Sequence, residues 1–420
     1  MSRACSIKLI SKHGDMLSLL SRMKDAGHPV AVYIEEAADM YDGILDKVHD
    51  INELDIEQDD LVLFDMVGGG KGADILCSKG VRVVGSSSLT DKIELDREFG
   101  LSFMSKHSCK IPPTMEVDSL DEARKLIEET GKRYVLKPSG NQTTDLTYVS
   151  RSAEDMLRML DYFEDKVDQR TPVVLQEYVE GIEMSTEAWF NGTRFLLPIN
   201  STFEEKKFMN DNRGPNTGCA GNVVWFWSDE VSEILYHMLF EKMEPELAES
   251  GYIGPIDINA IWTPEGPLGL EYTARFGYDA IQCSSRLIDM ELGEFLYMLP
   301  ELTEIPADQE SYAMSVRVSV PPYPNEGEIP QVPLSIGSAP PSEVYWSDVM
   351  LIDGVLHCAG SDGYVACVAA HGRKLSKVRS EVYDIIEELE IPDAQYRTDI
   401  SDRVAGDRAA VEGIIVRRST

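Results

Sequence analysis

The segment GYIGPIDINAIWTPEGPLGLEYTARFG (251–277) carries polar side chains at alternate positions. Asp257, Asn259, Glu271 and Thr273 fall on odd positions, and most even positions are apolar or aromatic. Side chains alternate between the two faces of a strand, so this pattern predicts a hairpin with one apolar face and one polar face. With a symmetric TPEG turn, Asn259 lies opposite Glu271, and Asp257 lies opposite Thr273.

The carboxylates of this polar face could hold a cation. Asp257 and Glu271 would repel each other unless a cation, a shared proton or solvent separated them. Mg²⁺ suits such a site, because it keeps waters and takes further ligands from substrate phosphates. Arg275 would aim its guanidinium at the same place, where it could hold phosphate or carboxylate. The alternative is a solvated face, which is the commonest arrangement in antiparallel hairpins.

Three further stretches carry residues that could bind anions or hydroxyl groups. Lys137 ends the strand pattern YVLKPSG, where it either neutralises a phosphate or extends its ammonium group into solvent. Glu183 follows the crossover LQEYVEGIE and could accept ribose hydroxyls or lie on a solvated face. A polar loop is predicted over 201–222. Its charged and polar residues include Lys206, Lys207, Arg213, Asn216 and Thr217, and its glycines would let backbone N–H groups approach an anion.

The string MVGGGKGAD contains Gly69 and Gly70 between a strand pattern and a helix pattern. It is not a Walker A motif, which would need Gly at Asp65 and Ser or Thr at Gly72. Two interpretations stay open: a tight turn, or a substrate-binding loop at the edge of an α/β sheet. The seven histidines are dispersed and there is no nucleophile elbow, so a Ser-His-Asp hydrolase is not supported.

Composition narrows the class of protein. A chain of 420 residues with 43% hydrophobic residues predicts two to four globular domains. The net charge of −34 disfavours nucleic acid as a partner. The seven cysteines form no C-x-x-C pair, and no apolar run approaches the roughly 20 residues needed to span a bilayer. We therefore expect a cytoplasmic protein that acts on small molecules, as a monomer or a homodimer.

The elements that must position these residues can be read from periodicity. PVAVYIEE, DLVLFDMVGGG and VRVVGSSS alternate with helical patterns and predict a βαβ layer. SLDEARKLIEETG predicts a helix with a capping box from Ser119 to Glu122 and a stop at Gly131. Asn191-Gly192 predicts a hairpin turn, and SDEVSEILYHMLFEKMEPELAESG predicts one long helix. After about residue 305, short strands and a closing helix predict a small α+β module.

The order of these motifs resembles the ATP-grasp superfamily, and within it glycinamide ribonucleotide synthetase (phosphoribosylamine–glycine ligase). The resemblance rests on the lysine strand, QEYVEGIE, GPNTG, LEYTARFG and the closing YRTDIS, in that order. It implies an α/β chain with an ATP-grasp fold. The implied parts are an N-terminal βαβ domain over 1–105, a lid subdomain over 106–190, a large subdomain with the Mg-ATP site over 191–304, and a small C-terminal α+β domain over 305–420.

The resemblance also implies roles for single residues, with ATP and Mg²⁺ (Mn²⁺ as the alternative) as cofactors. The implied catalytic residues are Arg275, Lys206 and Asn216. The implied ATP-binding residues are Lys137, Gln176, Glu177, Tyr178, Val179 and Glu183. The implied metal ligands are Asp257, Glu271 and Thr273. The implied substrate-binding residues are Gly214, Pro215, Asn216, Thr217 and Gly218, together with Gly69 and Gly70.

Several positions depart from the family pattern. Thr273 replaces a metal-binding asparagine, and NQTTDLT (141–147) replaces a glycine-rich flap and puts Asp145 near a lost lysine. GYDA (277–280) replaces G-D-P-E, and SKHGDML stands where the family has G-G-R-E-H. The last two changes disfavour phosphoribosylamine as the amine.

The resulting prediction is an ATP-dependent ligase that joins glycine or another small amino acid to a different amine, through an acyl phosphate. The alternatives are a divergent phosphoribosylamine–glycine ligase of purine biosynthesis and a non-catalytic ATP-binding pseudoenzyme.

Overall fold

The computed structural model describes residues 4–36, 39–138, 147–164, 172–277, 279–325 and 327–418. Helices and strands both occur along these ranges, which confirms the predicted α/β class. No helix in the described ranges is long and apolar enough to cross a membrane. Most of the predicted flap replacement, including Asp145, lies outside the described residues, as does Tyr278 of the GYDA segment.

The N-terminal part is a parallel sheet with helices between its strands, as the βαβ pattern predicts. Its strands are β1 (Ile7–Ser11), β2 (Val30–Ile34), β3 (Lys47–Val48), β4 (Leu61–Phe64) and β5 (Arg82–Val84). Its helices are α1 (Leu17–Asp25), α2 (Gly70–Ser78), α3 (Ser88–Leu95) and α4 (Arg97–His107). The strand order is β3-β2-β1-β4-β5. The turns after β1 and β4 therefore lie side by side at the carboxyl edge of the sheet, where open α/β sheets bind ligands.

A small antiparallel sheet follows, in the order β6-β9-β7-β8, with its own apolar core. Its strands are β6 (Thr114–Val117), β7 (Tyr134–Pro138), β8 (Tyr148–Val149) and β9 (Val173–Glu177), and its helices are α5 (Leu120–Thr130) and α6 (Ala153–Glu164). The predicted start and stop of α5 are confirmed. The Ser119 hydroxyl accepts a hydrogen bond from the Glu122 amide at 3.2 Å, and Gly131 ends the helix with φ +60°.

The central sheet is antiparallel and runs in the order β14-β13-β10-β11-β12-β15-β19-β16. Its strands are β10 (Ile182–Phe190), β11 (Phe195–Met209), β12 (Arg213–Phe226), β13 (Gly254–Thr263), β14 (Gly266–Thr273), β15 (Tyr312–Ser319), β16 (Val344–Trp346) and β19 (Tyr364–Gly372). A separate ribbon pairs β17 (Val349–Ile352) with β18 (Val355–Cys358). The helices of this part are α7 (Asp229–Leu235), α8 (Glu244–Ser250), α9 (Ala280–Leu287), α10 (Leu292–Met298), α11 (Leu375–Glu388) and α12 (Val404–Arg417).

The predicted loop over 201–222 is wrong, because these residues form most of a long hairpin. β11 and β12 pair with each other around a short turn at Asn210–Asn212. β11 also pairs with β10, and β12 with β15, so the hairpin is held on both sides. The polar residues that suggested a loop are side chains of paired strands. The hairpin predicted at Asn191-Gly192 is confirmed, since it joins β10 to β11.

The predicted long helix over 228–251 is interrupted. α7 passes into a π-helical turn at Tyr236–Phe240 and a short 3-10 turn before α8 begins. Pro245 stands in the first turn of α8, where its missing N–H costs no helical hydrogen bond. Proline therefore starts a new helix here and does not continue the old one.

The central sheet extends across two of the predicted domain boundaries. β10 lies in the central sheet, although the predicted lid subdomain extends to residue 190. β15, β19 and β16 follow the predicted boundary at 304/305 and continue the same sheet beyond β12. The four domain ranges stay predictions. The main structural fact about them is that one sheet contains strands from both sides of two predicted boundaries.

Candidate functional site

The hairpin of β13 and β14 has the predicted register. Asp257 pairs with Thr273, and Asn259 pairs with Glu271, with a bulge between Asn259 and Ala260. The apolar residues of β13 are buried, whereas the side chain of Glu271 keeps 50% of its surface exposed. The polar face is therefore open at Glu271, next to the buried Asn259.

Lys206 on β11 lies within 4 Å of three carboxylates above this face. Its Nζ lies 3.4 Å from Glu183 Oε1, 3.5 Å from Glu204 Oε2 and 3.8 Å from Glu271 Oε1. Asn259 Nδ2 donates a hydrogen bond to Glu183 Oε1 at 3.0 Å. The strands β10, β11, β13 and β14 thus bring Lys206, Glu183 and Glu271 together, as the resemblance implies.

The charges of this cluster are set by the cations around it. Burial would raise the pKa of Glu271, but Lys206, Lys137 and Arg97 hold that pKa below its usual range. Burial lowers the pKa of Lys137 to about 8, while Glu271 opposes the shift. For Lys206, burial alone would lower the pKa, but Glu204, Glu271 and Glu183 raise it. Glu271 is therefore ionised at neutral pH, and its charge depends on its neighbours.

Asp257 has a different environment from Glu271. Burial, and next the nearby Glu187, raise the pKa of Asp257 well above its ordinary value, against a hydrogen bond from Ser185. The pKa of Glu187 is also raised, to about 7, by burial, and Asn200 Nδ2 donates to its Oε1 at 2.8 Å. A carboxyl group must lose its proton to bind a metal ion, and the surroundings of Asp257 oppose that loss more than those of Glu271 do. Glu271 and Asn259 thus fit a cation better than Asp257 does in this arrangement.

The donor set around Glu271 fits Mg²⁺ only in part. Within the described ranges, no three His, Cys, Asp or Glu residues cluster closely enough to hold a metal by themselves. Glu271 offers an ionised carboxylate, and Asn259 and Thr273 offer oxygens on the paired strands. Such a set leaves most coordination positions to water and phosphate oxygens, which is how Mg²⁺ is commonly bound.

Arg275 is held in place by Glu94, a residue that no sequence motif indicates. Arg275 Nε lies 3.0 Å from Glu94 Oε1, and the Ala274 amide donates to Glu94 Oε2 at 2.9 Å. Glu94 lies on α3 and Arg97 at the start of α4, so the N-terminal part contributes both residues. Neither belongs to a local motif, and only the packing of distant segments brings them near the hairpin.

The segment between the two antiparallel sheets carries the residues predicted to contact the adenine. Gln176 is buried, and its Nε2 donates to Thr114 Oγ1 at 3.2 Å. Glu177 forms an ion pair with Lys132. The guanidinium of Arg133 lies 3.2 Å from the centre of the Tyr178 ring, and Val179 is half-buried. A Cβ at Gly181 would lie 2.6 Å from Trp262 O, so this crossover requires glycine.

The GPNTG residues (214–218), which the resemblance implies bind substrate and act as a lid over the reacting groups, lie at the start of β12. Arg397 anchors the tip of the hairpin, since its Nη1 donates to Lys207 O at 2.9 Å and to Asn212 Oδ1 at 3.0 Å. Asp399 adds a contact to the Asp211 amide at 2.9 Å. Thr217 Oγ1 donates to Lys206 O at 3.0 Å and so ties the lid to the cluster. The other predicted lid residues are exposed: Gly214, Pro215, Asn216 and Gly218.

Gly69 and Gly70 do not join this cluster. The amides of Gly68 and Gly70 donate to the carboxylate of Asp91 at 2.8 and 2.7 Å. A Cβ at Gly70 would lie 2.3 Å from Ser87 O. The backbone N–H groups that could bind a substrate anion thus already donate to Asp91. This favours a tight turn over a substrate-binding loop.

Comparisons with known proteins agree with this architecture. Residues 95–280 match the family described as the phosphoribosylglycinamide synthetase ATP-grasp (A) domain. The phosphoribosylamine–glycine ligase of Corynebacterium ammoniagenes is 24% identical over 355 residues, which cover 81% of each chain.

Solved structures show the same fold. A phosphoribosylamine–glycine ligase from Thermotoga maritima superposes with a TM-score of 0.73 at 19% identity, over 94% of this chain and 99% of that one. The biotin carboxylase domain of Hydrogenobacter thermophilus 2-oxoglutarate carboxylase, solved with MgADP, ADP and bicarbonate, gives 0.64 at 11% identity, over 96% and 99%. Residues 95–280 therefore match an ATP-grasp domain, and the chain as a whole is similar over most of its length to the phosphoribosylamine–glycine ligases.

Proposed function

We propose that this protein is an ATP-dependent carboxylate–amine ligase that joins glycine or another small amino acid to an amine other than phosphoribosylamine. The observation that carries the proposal is the cluster of Lys206, Glu183 and Glu271 beside Lys137. An ionised, half-exposed carboxylate beside two lysines suits a nucleotide phosphate chain with its Mg²⁺.

The chemistry follows from the leaving group. A carboxylate cannot expel its oxygen, so the carboxylate substrate first attacks the γ-phosphorus of ATP, which gives an acyl phosphate and ADP. The amine then attacks the acyl carbon, phosphate leaves, and the amine nitrogen loses one proton to give the amide. The net reaction converts carboxylate, amine and ATP into amide, ADP and phosphate.

The residues of the cluster have separate roles in this proposal. Glu271, with Asn259, would hold Mg²⁺, which neutralises phosphate charge when bound. Lys137 and Lys206 would stabilise the negative charge that builds up on the transferred phosphoryl group. Arg275, oriented by Glu94, would hold the acyl phosphate. Glu183 would accept ribose hydroxyls, and the start of β12 would cover the reacting groups.

The choice of amine rests on the residues that replace the phosphate-binding elements of the family. SKHGDML provides an acidic side chain, Asp15, where the family has G-G-R-E-H, and GYDA replaces G-D-P-E. The relatives are phosphoribosylamine–glycine ligases, which makes the divergent purine enzyme the second candidate. Thr273 at the place of a metal-binding asparagine is what favours a non-catalytic binder.

The test is ADP release from Mg-ATP by the purified protein, with hydroxylamine as a trap for acyl phosphates. Each carboxylate of an amino-acid panel is tested with hydroxylamine, because a hydroxamate reports the first step without the natural amine. Glycine with phosphoribosylamine generated in situ is a separate arm. We expect a hydroxamate from glycine or another small amino acid. Turnover that needs phosphoribosylamine would establish the second candidate, and ATP binding without any hydroxamate would establish the third.

A further inference from the structure

A small cavity lies where the N-terminal sheet, the start of α9 and the strands beyond β15 meet. Its volume is about 20 Å³, and its lining includes Asp15, Asp279, Gln282, Arg317 and Tyr364. Phe276 and Gly277, which directly follow Arg275, line it as well. The cavity is therefore adjacent to the residue that we propose holds the acyl phosphate.

Two buried acceptor atoms in this region lack a hydrogen-bond donor. Gln282 is 4% exposed and lines the cavity, and its Oε1 has no partner within the part of the chain that the structure describes. Asp65 follows β4 directly and is 1% exposed. Its Oδ1 also has no hydrogen-bond partner among the described residues. Its other oxygen accepts from Ser11 Oγ and the Met16 amide. A buried acceptor such as Gln282 Oε1 is normally satisfied, so a donor is missing at the cavity.

The charges around the cavity are unbalanced toward the negative. Arg317 Nε lies 2.5 Å from Asp279 Oδ2, and Tyr364 donates to the other oxygen of Asp279 at 2.9 Å. Arg275 is paired with Glu94, and His13, which also faces Asp15, lies 3.3 Å from Glu36. The ion pairs formed by the described residues include none with Asp15, Asp65 or Asp362. Asp15 is the one of these three that lines the cavity; the charges of Arg275 and Arg317 act on it, but each of these arginines is paired with another carboxylate.

We propose that this cavity binds the amine substrate in its ammonium form, that Asp15 takes one proton from it to give the neutral amine that attacks the acyl carbon, and that this amine carries no phosphate group. The inference rests on the proposed function and deepens it by assigning the second substrate a class. An ammonium group supplies the missing donor and the missing positive charge together. About 20 Å³ holds one group of the size of a water molecule, whereas a phosphate group is larger and would be repelled by the carboxylates.

The first test compares two matched amines by calorimetry, on the full chain with Mg²⁺ and a non-hydrolysable ATP analogue. Ethanolamine carries an ammonium group alone, and O-phosphoethanolamine carries the same group with a phosphate. We expect ethanolamine to bind at least tenfold more tightly. Equal or tighter binding of O-phosphoethanolamine would overturn the proposal. So would no binding of either amine, which would mean that a buried water alone fills the cavity.

The second test places the binding in this cavity. Asp15→Asn keeps the size of the side chain and removes its charge, and we expect it to weaken ethanolamine binding at least tenfold. Asp25→Asn, an exposed position at the end of α1, is the matched control and should bind as the unmodified protein does. Unchanged binding by Asp15→Asn would overturn the assignment. If that variant does not fold, the comparison of the two amines on the unmodified protein still decides.

The hydroxamate assay separates the two proposals. It needs no natural amine, so hydroxamate formation without ethanolamine binding would reject the cavity proposal and leave the ligase proposal standing. Ethanolamine binding that depends on Asp15, without a hydroxamate from any amino acid, would reject the ligase proposal and leave an ammonium-binding cavity.

Discussion

Glu271 and Asp65 are both acidic residues on or next to strands of this molecule, and their surroundings give them opposite properties. Glu271 lies among Lys206, Lys137 and Arg97, and its pKa is held below the usual range. Asp65 is buried near Asp15, and burial and then that like charge raise its pKa to about 7. The Glu271 carboxylate is charged and can bind Mg²⁺. The Asp65 carboxyl group stays protonated below about pH 7 unless a cation binds beside it.

The comparison teaches that residue type alone does not identify a metal ligand. Asp257 and Glu271 lie on one polar face in the sequence pattern, yet burial and Glu187 outweigh Lys206 and raise the pKa of Asp257, whereas Lys206, Lys137 and Arg97 hold the pKa of Glu271 low. The neighbours of a carboxyl group, supplied by other strands and helices, decide whether it is available as an anion.

The largest expected effect comes from Glu271→Gln, which removes the anion and preserves the shape. We expect Mg-ATP turnover in the hydroxamate assay to fall at least a hundredfold, about 3 kcal/mol of transition-state stabilisation. Glu265→Gln, in the turn of the same hairpin, is the control and should keep full activity. If turnover of Glu271→Gln fell less than tenfold, the charge of Glu271 would not matter for activity, and the proposed difference between Glu271 and Asp65 would be contradicted.

A smaller effect is expected from the titration of Lys137. Its pKa is lowered to about 8 by burial, so it loses its charge as pH rises through about 8. Phosphates bind the charged form, and the Kd for Mg-ATP should therefore rise about tenfold between pH 7 and pH 9. Lys137→Met should bind more weakly at pH 7 and lose this pH dependence. An equally steep rise in the variant would assign the titration to another group.

The smallest effect is expected for Asp65→Asn on stability. The folded-state pKa of Asp65 is raised from 3.8 to about 7, so the unfolded chain ionises first and the folded protein loses stability as pH rises from about 4 to 7. The asparagine cannot ionise and avoids this loss. We expect its melting midpoint to exceed that of the unmodified protein by a few degrees at pH 8, and by less at pH 5.

A melting midpoint of Asp65→Asn that falls equally at both pH values would contradict the raised pKa, because a simple packing defect does not depend on pH. Asp25→Asn serves as the control here as well, since its exposed carboxyl should change stability little.

Local features of the fold could be predicted from the sequence. The alternation over 251–277 and the TPEG turn predict the pairing of Asn259 with Glu271, and the structure has this register. Ser119 and Gly131 mark the two ends of α5 correctly. In each case the relevant contacts lie within about twenty residues, and the periodicity of the segment encodes them directly.

The rest could not be predicted, because it depends on contacts between distant segments. The polar residues over 201–222 indicated a loop, since nothing local shows that β15 pairs with β12. The contact of Glu94 with Arg275, and the cavity between Asp15 and Gln282, join segments far apart in the chain. Family resemblance suggested Glu271, Lys206 and Lys137 as site residues, which stays a prediction, and it gave no indication of the raised pKa of Asp257.

The single sheet that runs from β14 to β16 has a consequence for how this protein can vary. β15 follows residue 305 and pairs with β12, so an exchange of the C-terminal part with a cut near residue 305 would separate these two strands. Such a cut would leave the backbone groups of both strands without partners, and open strand edges of this kind promote association with other chains. We therefore expect that the C-terminal part cannot be exchanged as an independent unit without disturbing the sheet that carries the site.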